Sequence, residues 1–234
     1  MKNLEENFGY QEKDVSLIKD NFQMSIEKIS TDKILEILGI VFKEIIDEET
    51  LRTGAAAYTE INISGLTKEF LIDFEKFKNI IETNNQYSNC KFYFLDNNGI
   101  LNIGLALSDH NEIELDVNDL LFELQDEEFI EADFSEKREE YIKPNGLRDQ
   151  IQLLNPSKEV TQMIRYELEV VEIYNLLVCH SFKVEKLKFK MFKYPLDCGK
   201  KSDYSDRISF AVNPVLTGLN DNQTNSFDAG DLKP

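Results

Sequence analysis

The chain has 234 residues, of which 41% are hydrophobic and 30% charged, a composition that can bury a core and excludes disorder. Its net charge of −18 opposes direct binding of nucleic acid or of an anionic membrane, because both are polyanions. The longest apolar-rich stretch, 34–42, is too short to span a bilayer. Early acids without an apolar run lead us to expect no secretory signal, and three widely spaced cysteines predict no disulfide framework. These features together predict a cytoplasmic protein.

The first hundred residues carry three stretches with the apolar spacing of helices. Helices are predicted at 12–29, 34–46 and 67–82. Thr67 is the expected N-cap of the third helix. Ile61 and Ile63 alternate with polar residues, which predicts a strand at 57–64. The stretches CKFYFLD and ILNIGLALS flank Asn97-Asn98-Gly99, a pattern typical of a β-hairpin.

An acidic segment, defined here as residues 109–140, follows the hairpin. It contains fourteen Asp and Glu against two bases, so it carries −12 of the net charge within thirty-two residues. Leucines between 120 and 124 take helical spacing, which predicts a helix capped by Asn118 or Asp119. A break follows at 143–146, where Pro and Gly interrupt the pattern.

The second half repeats the order of the first. An apolar-rich helix is predicted at 158–180, followed by the strands FKVEKLKFKMFKY and RISFAVNPVL and a polar tail. Both halves close with Asp-x-x-Asp-Leu, in LDVNDL (115–120) and FDAGDL (227–232). The sequence therefore predicts an α+β fold with helices on an antiparallel sheet, with a duplication of two helix-plus-hairpin modules as one hypothesis. The units would be 1–145 and 146–234, or one continuous domain.

Two interpretations compete for the acidic segment. One is a solvated face over a buried apolar stripe, and the other is a docking surface for a basic protein. For the docking surface the candidate partner-binding residues are Asp126, Glu127, Glu128, Glu131 and Asp133. The spacing after Asp116 lacks the glycine and the alternating oxygen ligands of a calcium loop, so no metal is predicted.

The strand KVEKLKFKMFK, called the lysine strand below, carries Leu187, Phe189 and Met191 on one face and lysines on the other. From 183 to 207 there are eight bases against four acids, a local net charge of +4. The lysines either protect an exposed strand face or edge, or pair electrostatically with the acidic segment within the chain or across a homodimer.

The remaining candidate site is the loop 194–204, in which Cys198, Lys200 and Lys201 are clustered as a candidate anion or small-molecule site. The competing interpretation is a flexible surface loop. It lacks the pattern of a phosphate-binding P-loop, and no zinc, dinucleotide or nucleophile-elbow motif occurs in the chain, so no cofactor is predicted. Cys179 is predicted to be a small core residue. An enzymatic site would involve this loop or His110.

The strand pairs and the ending SFDAGDLKP resemble a set of uncharacterised bacterial proteins of the Bacteroidetes type. The matching positions are Phe227, Asp228, Gly230, Asp231, Leu232 and Pro234. This resemblance implies a bacterial source and no particular activity.

The sequence favours a non-catalytic interaction or inhibitor-type protein that binds a basic protein surface through its acidic segment, an immunity protein being one form. An enzyme with a site near 194–204 and a structural subunit that associates with itself are the alternatives.

Overall fold

The computed structural model describes residues 45–46, 48–154, 160–181, 183–194, 204, 206–216, 226–227 and 231–233. In this part of the chain the helices are Glu48–Thr59 (α1), Phe74–Thr83 (α2), Ser135–Ile142 (α3), Leu147–Leu154 (α4) and Leu168–Ser181 (α5). The strands are Ile45–Ile46 (β1), Glu69–Asp73 (β2), Asn89–Asn97 (β3), Ile100–Ser108 (β4), Leu120–Gln125 (β5), Glu128–Glu131 (β6), Met163–Glu167 (β7), Val184–Lys193 (β8), Ile208–Leu216 (β9), Ser226–Phe227 (β10) and Asp231–Lys233 (β11). The helix predicted at 12–29 lies outside the described residues, as does that at 34–46 apart from β1.

The strands pair antiparallel in two sheets. The first sheet has the order β1-β10-β9-β8-β2, and the second has the order β11-β7-β3-β4-β5-β6. Helices pack against these sheets, so the predicted α+β class is confirmed. None of the helices in the described ranges is long and apolar enough to cross a membrane.

The main core lies between the two sheets. Phe92 on β3 packs edge-on against Phe189 on β8 and Phe210 on β9, with ring centroids 5.2 and 5.3 Å apart. Helix α2 adds Phe77, whose ring centroid is 6.3 Å from that of Phe92. Buried aromatic side chains remove large apolar areas from water, so this cluster joins the two sheets.

A second, smaller core covers the opposite face of the second sheet. Its buried residues are Tyr93, Leu95, Ala106, Phe134 and Met163. Side chains alternate along a strand, so Phe92 faces the main core while Lys91 and Tyr93 face the second one. β3 is consequently buried on both faces.

The predicted hairpin is confirmed. β3 and β4 pair in register from Asn89 with Ser108 to Asn97 with Ile100. The residues between the strands, Asn98 and Gly99, have φ angles of 56° and 82°. Positive φ at both central positions is typical of the type I′ turn, whose twist matches that of the flanking strands.

Two predicted elements of the first half are wrong in type or extent. Residues 57–59 end α1 and residues 60–66 form a loop with turns at 60 and 64–65, so there is no strand at 57–64. The helix predicted at 67–82 begins only at Phe74, because residues 69–73 form β2 and pair with the lysine strand. Asp73 caps the helix in place of Thr67, and its side chain accepts a hydrogen bond of 3.0 Å from Lys76 N.

Two predicted helices contain strands. Residues 120–125 form β5, which pairs with β4 and β6, so the helix capped by Asn118 or Asp119 is wrong. The helix predicted at 158–180 starts at Leu168, because residues 163–167 form β7 beside β3. In both places the strand is covered on both faces, so the alternation that identifies a strand is missing.

The break at 143–146 is confirmed, since α3 ends at Ile142 and α4 begins at Leu147. A Cβ on Gly146 would come within 2.5 Å of Glu140 O and 2.7 Å of Tyr141 O, so the close turn between the helices requires glycine.

In the described part of the chain, strands from the first half pair with strands from the second half. The stretch β2-α2-β3-β4 and the stretch β7-α5-β8-β9 have the same order of elements, and each begins with a five-residue strand that runs directly into its helix. β2 pairs with β8, and β7 pairs with β3, so each stretch contributes its first strand to the sheet of the other. Strands from both sides of residue 145 therefore occupy both sheets. The duplication itself stays a prediction.

Candidate functional site

A groove, called the acidic groove below, opens between the loop before β5 and the residues after β6. Its volume is about 520 Å³. Its walls combine carboxylates with apolar side chains, namely Leu115, Asp116, Val117, Asp119, Leu120, Leu121, Glu131, Ala132, Asp133 and Ser135. The lining thus combines charged and apolar side chains, whereas the solvated face of a surface helix is mainly polar.

One wall of the acidic groove is a short turn held by its own carboxylates. Asp116 Oδ1 accepts hydrogen bonds of 2.9 Å from Asn118 N and 2.8 Å from Asn118 Nδ2. Asp119 Oδ2 accepts a hydrogen bond of 3.0 Å from Asp116 N. The bonds from Asn118 lower the pKa of Asp116, so this carboxylate is firmly anionic. Val117, at the tip of the turn, is 95% exposed.

The other wall follows β6. Asp133 Oδ1 accepts hydrogen bonds from Ser135, of 2.5 Å from Oγ and 2.9 Å from N. These bonds lower the pKa of Asp133 and satisfy a backbone N–H at the start of α3. Glu131 is exposed and makes no ion pair with any residue in the described ranges.

Beneath the turn lies a buried polar cluster, called the Lys91 cluster below, which sequence reasoning missed. The Lys91 side chain is fully buried, and its Nζ donates hydrogen bonds of 2.9 Å to Ser108 Oγ and 3.0 Å to Glu112 O. It also lies 3.3 Å from His110 Nδ1. Burial lowers the pKa of Lys91, and the carboxylates of Asp119 and Glu112 act in the opposite direction.

The loop that follows β4 is therefore pinned to the second sheet. Tyr93 Oη donates a hydrogen bond of 2.9 Å to Ile113 O, and Lys91 binds the carbonyl of Glu112. On β7, Arg165 Nη1 donates bonds of 2.8 Å to Asn89 Oδ1 and 3.0 Å to Asn111 Oδ1. These contacts hold the turn that forms the first wall of the acidic groove.

The Lys91 cluster does not have the geometry of a catalytic site. Ser108 Oγ and Lys91 Nζ have the chemistry of a serine–lysine nucleophile pair, but both residues are 0% exposed. A substrate carbonyl cannot reach a hydroxyl that is sealed in the core. The cluster is instead suited to position the loop above it.

The two cysteines in the described residues differ in burial, and one of them differs from its prediction. Cys90 is buried, and burial raises the pKa of its thiol, so the thiolate needed for nucleophilic chemistry is suppressed. Cys179 is exposed, so its assignment as a core residue is wrong: it lies on the solvent side of α5, beside the ammonium of Lys78. The residues Cys198, Lys200 and Lys201 lie outside the described residues.

The five predicted partner-binding residues separate into two groups. Glu131 and Asp133 line the acidic groove, and Asp126 is exposed at the tip of the β5–β6 hairpin. Glu127 and Glu128 are instead engaged within the chain. Glu127 Oε2 lies 2.6 Å from Lys186 Nζ on β8, and Glu128 forms an ion pair with Lys76 on α2.

One of these two ion pairs is made by a residue of the lysine strand. Leu187, Phe189 and Met191 are buried, while the lysines between them are half-buried on the other face, as the alternation predicts. The strand lies between β2 and β9, so the interpretation of these lysines as edge protection is wrong. The pairing of Lys186 with Glu127 shows electrostatic contact with the acidic segment within the chain.

Within the ranges that the structure describes, no group of three or more His, Cys, Asp or Glu side chains has a geometry that could hold a metal ion. The arrangement is that of an antiparallel α+β protein with a groove that is both anionic and apolar. Comparisons with protein-family models, curated proteins and solved structures find no match to this chain. The resemblance of the C-terminal tail to bacterial proteins stays a prediction.

Proposed function

We propose that this chain is a non-catalytic interaction protein that binds a basic segment of another protein in its acidic groove. The observation that carries this proposal is the lining of the groove, in which Asp116, Asp119, Glu131 and Asp133 stand around apolar side chains. Complementary charge speeds association and gives specificity, and apolar contact supplies affinity. An inhibitor that masks the basic surface of an enzyme, as an immunity protein does, is one concrete form.

The charge of the groove supports this choice of partner. The bonds from Asn118 and Ser135 keep the pKa of Asp116 and of Asp133 low, so neither carboxylate is neutralised near neutral pH. Glu131 has no cation of the described chain beside it. A lysine or arginine side chain of a partner would therefore meet three carboxylates, those of Asp116, Glu131 and Asp133, that make no ion pair within the described residues.

The apolar side chains of the groove indicate that the partner segment carries apolar residues as well as basic ones. Val117 is 95% exposed, while Leu120 and Leu121 are partly covered; next to the groove lining, Ile130 on β6 is 44% exposed. Exposed apolar residues rimmed by charges are typical of protein interaction sites. The expected ligand is thus a segment in which basic and apolar side chains alternate.

A defined peptide tests the proposal. A fluorescein-labelled peptide of alternating lysine and leucine should bind the wild-type chain, and a peptide of alternating glutamate and leucine should not. Glu131→Lys should weaken binding by about tenfold or more, because it places a cation in the groove. Asp133→Asn should weaken it less, since the amide oxygen still accepts the hydrogen bonds of Ser135.

Glu60→Lys is the matched control. Glu60 is exposed after α1 and outside the groove, and its replacement changes the net charge by the same amount as Glu131→Lys. Binding should change by less than about twofold, and circular dichroism should show that both variants fold. Equal losses in the two variants would mean that the peptide reads only net charge, and the proposed site would be rejected.

A further inference from the structure

His110 lies between the buried Lys91 cluster and the acidic groove. Its Nδ1 is 3.3 Å from Lys91 Nζ and 3.2 Å from Glu112 Oε2. Its Nε2 is 3.4 Å from Oδ1 of Asp119 and makes no hydrogen bond, so this contact is an ion pair when the imidazole is protonated. The side chain of Asp119 is 2% exposed and lines the groove. The imidazole thus touches both the residue that anchors the loop and a carboxylate of the binding site.

The two protonation states of His110 make different contacts. An ammonium group has only donors, so the contact with Lys91 is a hydrogen bond only when Nδ1 is unprotonated. A protonated imidazole would place its positive charge 3.3 Å from the charge of Lys91, and its Nδ1–H would have Glu112 as its acceptor. Protonation of His110 therefore removes its hydrogen bond with Lys91 and strengthens its attraction to the carboxylates of Glu112 and Asp119.

The charged groups that face His110 come from several elements. Lys91 reaches it from β3, Glu112 and Asp119 reach it from its own loop, and the carboxylate of Asp116 on that loop interacts with it electrostatically. Arg165 on β7 holds Asn111, the residue next to His110, and its charge acts on Lys91. Protonation of His110 adds one positive charge to this set, directly beside the groove.

We infer that His110 makes binding in the acidic groove sensitive to pH, with the neutral imidazole permitting and the protonated imidazole opposing the docking of a basic segment. This inference rests on the proposed function of the groove. Histidine ordinarily changes its charge between about pH 5 and 8. A protonated His110 partly neutralises Asp119 and repels a lysine or arginine of the partner.

The lysine–leucine peptide tests the inference in solution. Wild type should bind it roughly three- to tenfold more weakly at about pH 5.5 than at about pH 7.5, the effect of one added charge at close range. His110→Gln should bind equally at both values, because glutamine retains an acceptor and does not titrate. Asp116 and Asp133 stay ionised at both values because hydrogen bonds lower the pKa of each.

The second histidine of the chain supplies the control. His180→Gln should keep the full pH dependence of the wild type. If the wild type binds the peptide equally at both values, or if His110→Gln keeps the pH dependence, then regulation by His110 is overturned while docking in the groove stands.

A measurement without peptide separates this inference from the proposed function. In a pH titration followed by NMR, the amides of Asp116 and Asp119 should shift with one transition that is absent in His110→Gln. If these amides titrate identically in the variant, the coupling is refuted even where the peptide binds. If the peptide binds at neither pH while the amides follow His110, the proposed function fails and the coupling remains.

Discussion

At the scale of single residues, Lys91 has the least ordinary environment in the described part of the chain. Its ammonium group lies in the protein interior, where charge is costly unless hydrogen bonds replace water. Three such partners surround it, on Ser108, His110 and Glu112. These hydrogen bonds offset part of the cost of burying the ammonium group. They also fix the loop after β4 above the second sheet.

This environment predicts a specific pH dependence of stability. Burial lowers the pKa of Lys91 below its ordinary 10.5, so the folded chain releases this proton before the unfolded chain does. Between the two pKa values the unfolded state binds more protons, and the free energy of unfolding therefore rises with pH. Urea unfolding between about pH 7.5 and 10.5 should show this rise in the wild type relative to Lys91→Met.

The exposed Lys68 provides the comparison for Lys91. Lys68→Met should follow the wild type across the same pH range, because it removes one lysine from the exposed surface and leaves the Lys91 cluster intact. Parallel curves for wild type and Lys91→Met would contradict a charged, desolvated Lys91.

The sequence does not reveal the burial of Lys91. The stretch CKFYFLD indicates a strand, but in many antiparallel sheets the second face of such a strand meets water, so nothing in the stretch itself shows that both faces are covered. That face is covered by residues 109–119 and by α3, which come later in the chain. The groove was missed for the same reason, since its two walls meet only through pairing of β4, β5 and β6.

At the scale of elements, the contact of β4 with the start of α3 fixes one side of the second core. A Cβ on Gly104 would lie 2.7 to 3.0 Å from ring carbons of Phe134, so the ring packs directly on the glycine. Overpacking of a core costs about 1–3 kcal/mol. Gly104→Ala should lower the free energy of unfolding by about that amount in urea titrations.

A double-mutant cycle identifies the cause of that loss. In a Phe134→Leu background the cost of Gly104→Ala should fall by about 0.5 kcal/mol or more, because the shorter side chain leaves room for the methyl group. Gly99→Ala meets no atom within 4 Å and is strained only by its φ of 82°, so its cost should be the same in both backgrounds. Additive losses for Gly104 and Phe134 would argue against their contact.

Local patterns predicted some elements and failed for others, for a physical reason. The hairpin of β3 and β4 is specified by its own turn residues, and β8 by the alternation of lysines with apolar residues. β5 and β7 are short and covered on both sides, so their apolar residues also fit helical spacing. Hydrogen bonding to the neighbouring strands is what makes these residues strands instead of helices.

At the scale of the whole molecule, charge is the dominant feature beyond the fold. Seven of the fourteen acids in the acidic segment have a cationic or histidine partner: Glu112, Asp119, Glu123, Glu127, Glu128, Glu139 and Glu140. Asp119 and Glu123 are the most enclosed of them, with side chains 2% and 4% exposed, and Lys137 Nζ lies 2.5 Å from Glu123. The others have no ion pair in the described residues, so repulsion among them is the expected net effect.

The net charge of −18 predicts that salt stabilises this chain. The Debye length falls from about 30 Å at 0.01 M salt to about 8 Å at 0.15 M, which screens repulsion between exposed acids. Urea unfolding should therefore give a free energy of unfolding higher by about 1 kcal/mol at the higher concentration of sodium chloride. A triple variant, Asp126→Asn, Glu131→Gln and Glu136→Gln, should be more stable than the wild type at low salt and respond less to added salt. A wild type that loses stability as salt is added would show that its ion pairs, such as Lys186 with Glu127, outweigh the repulsion.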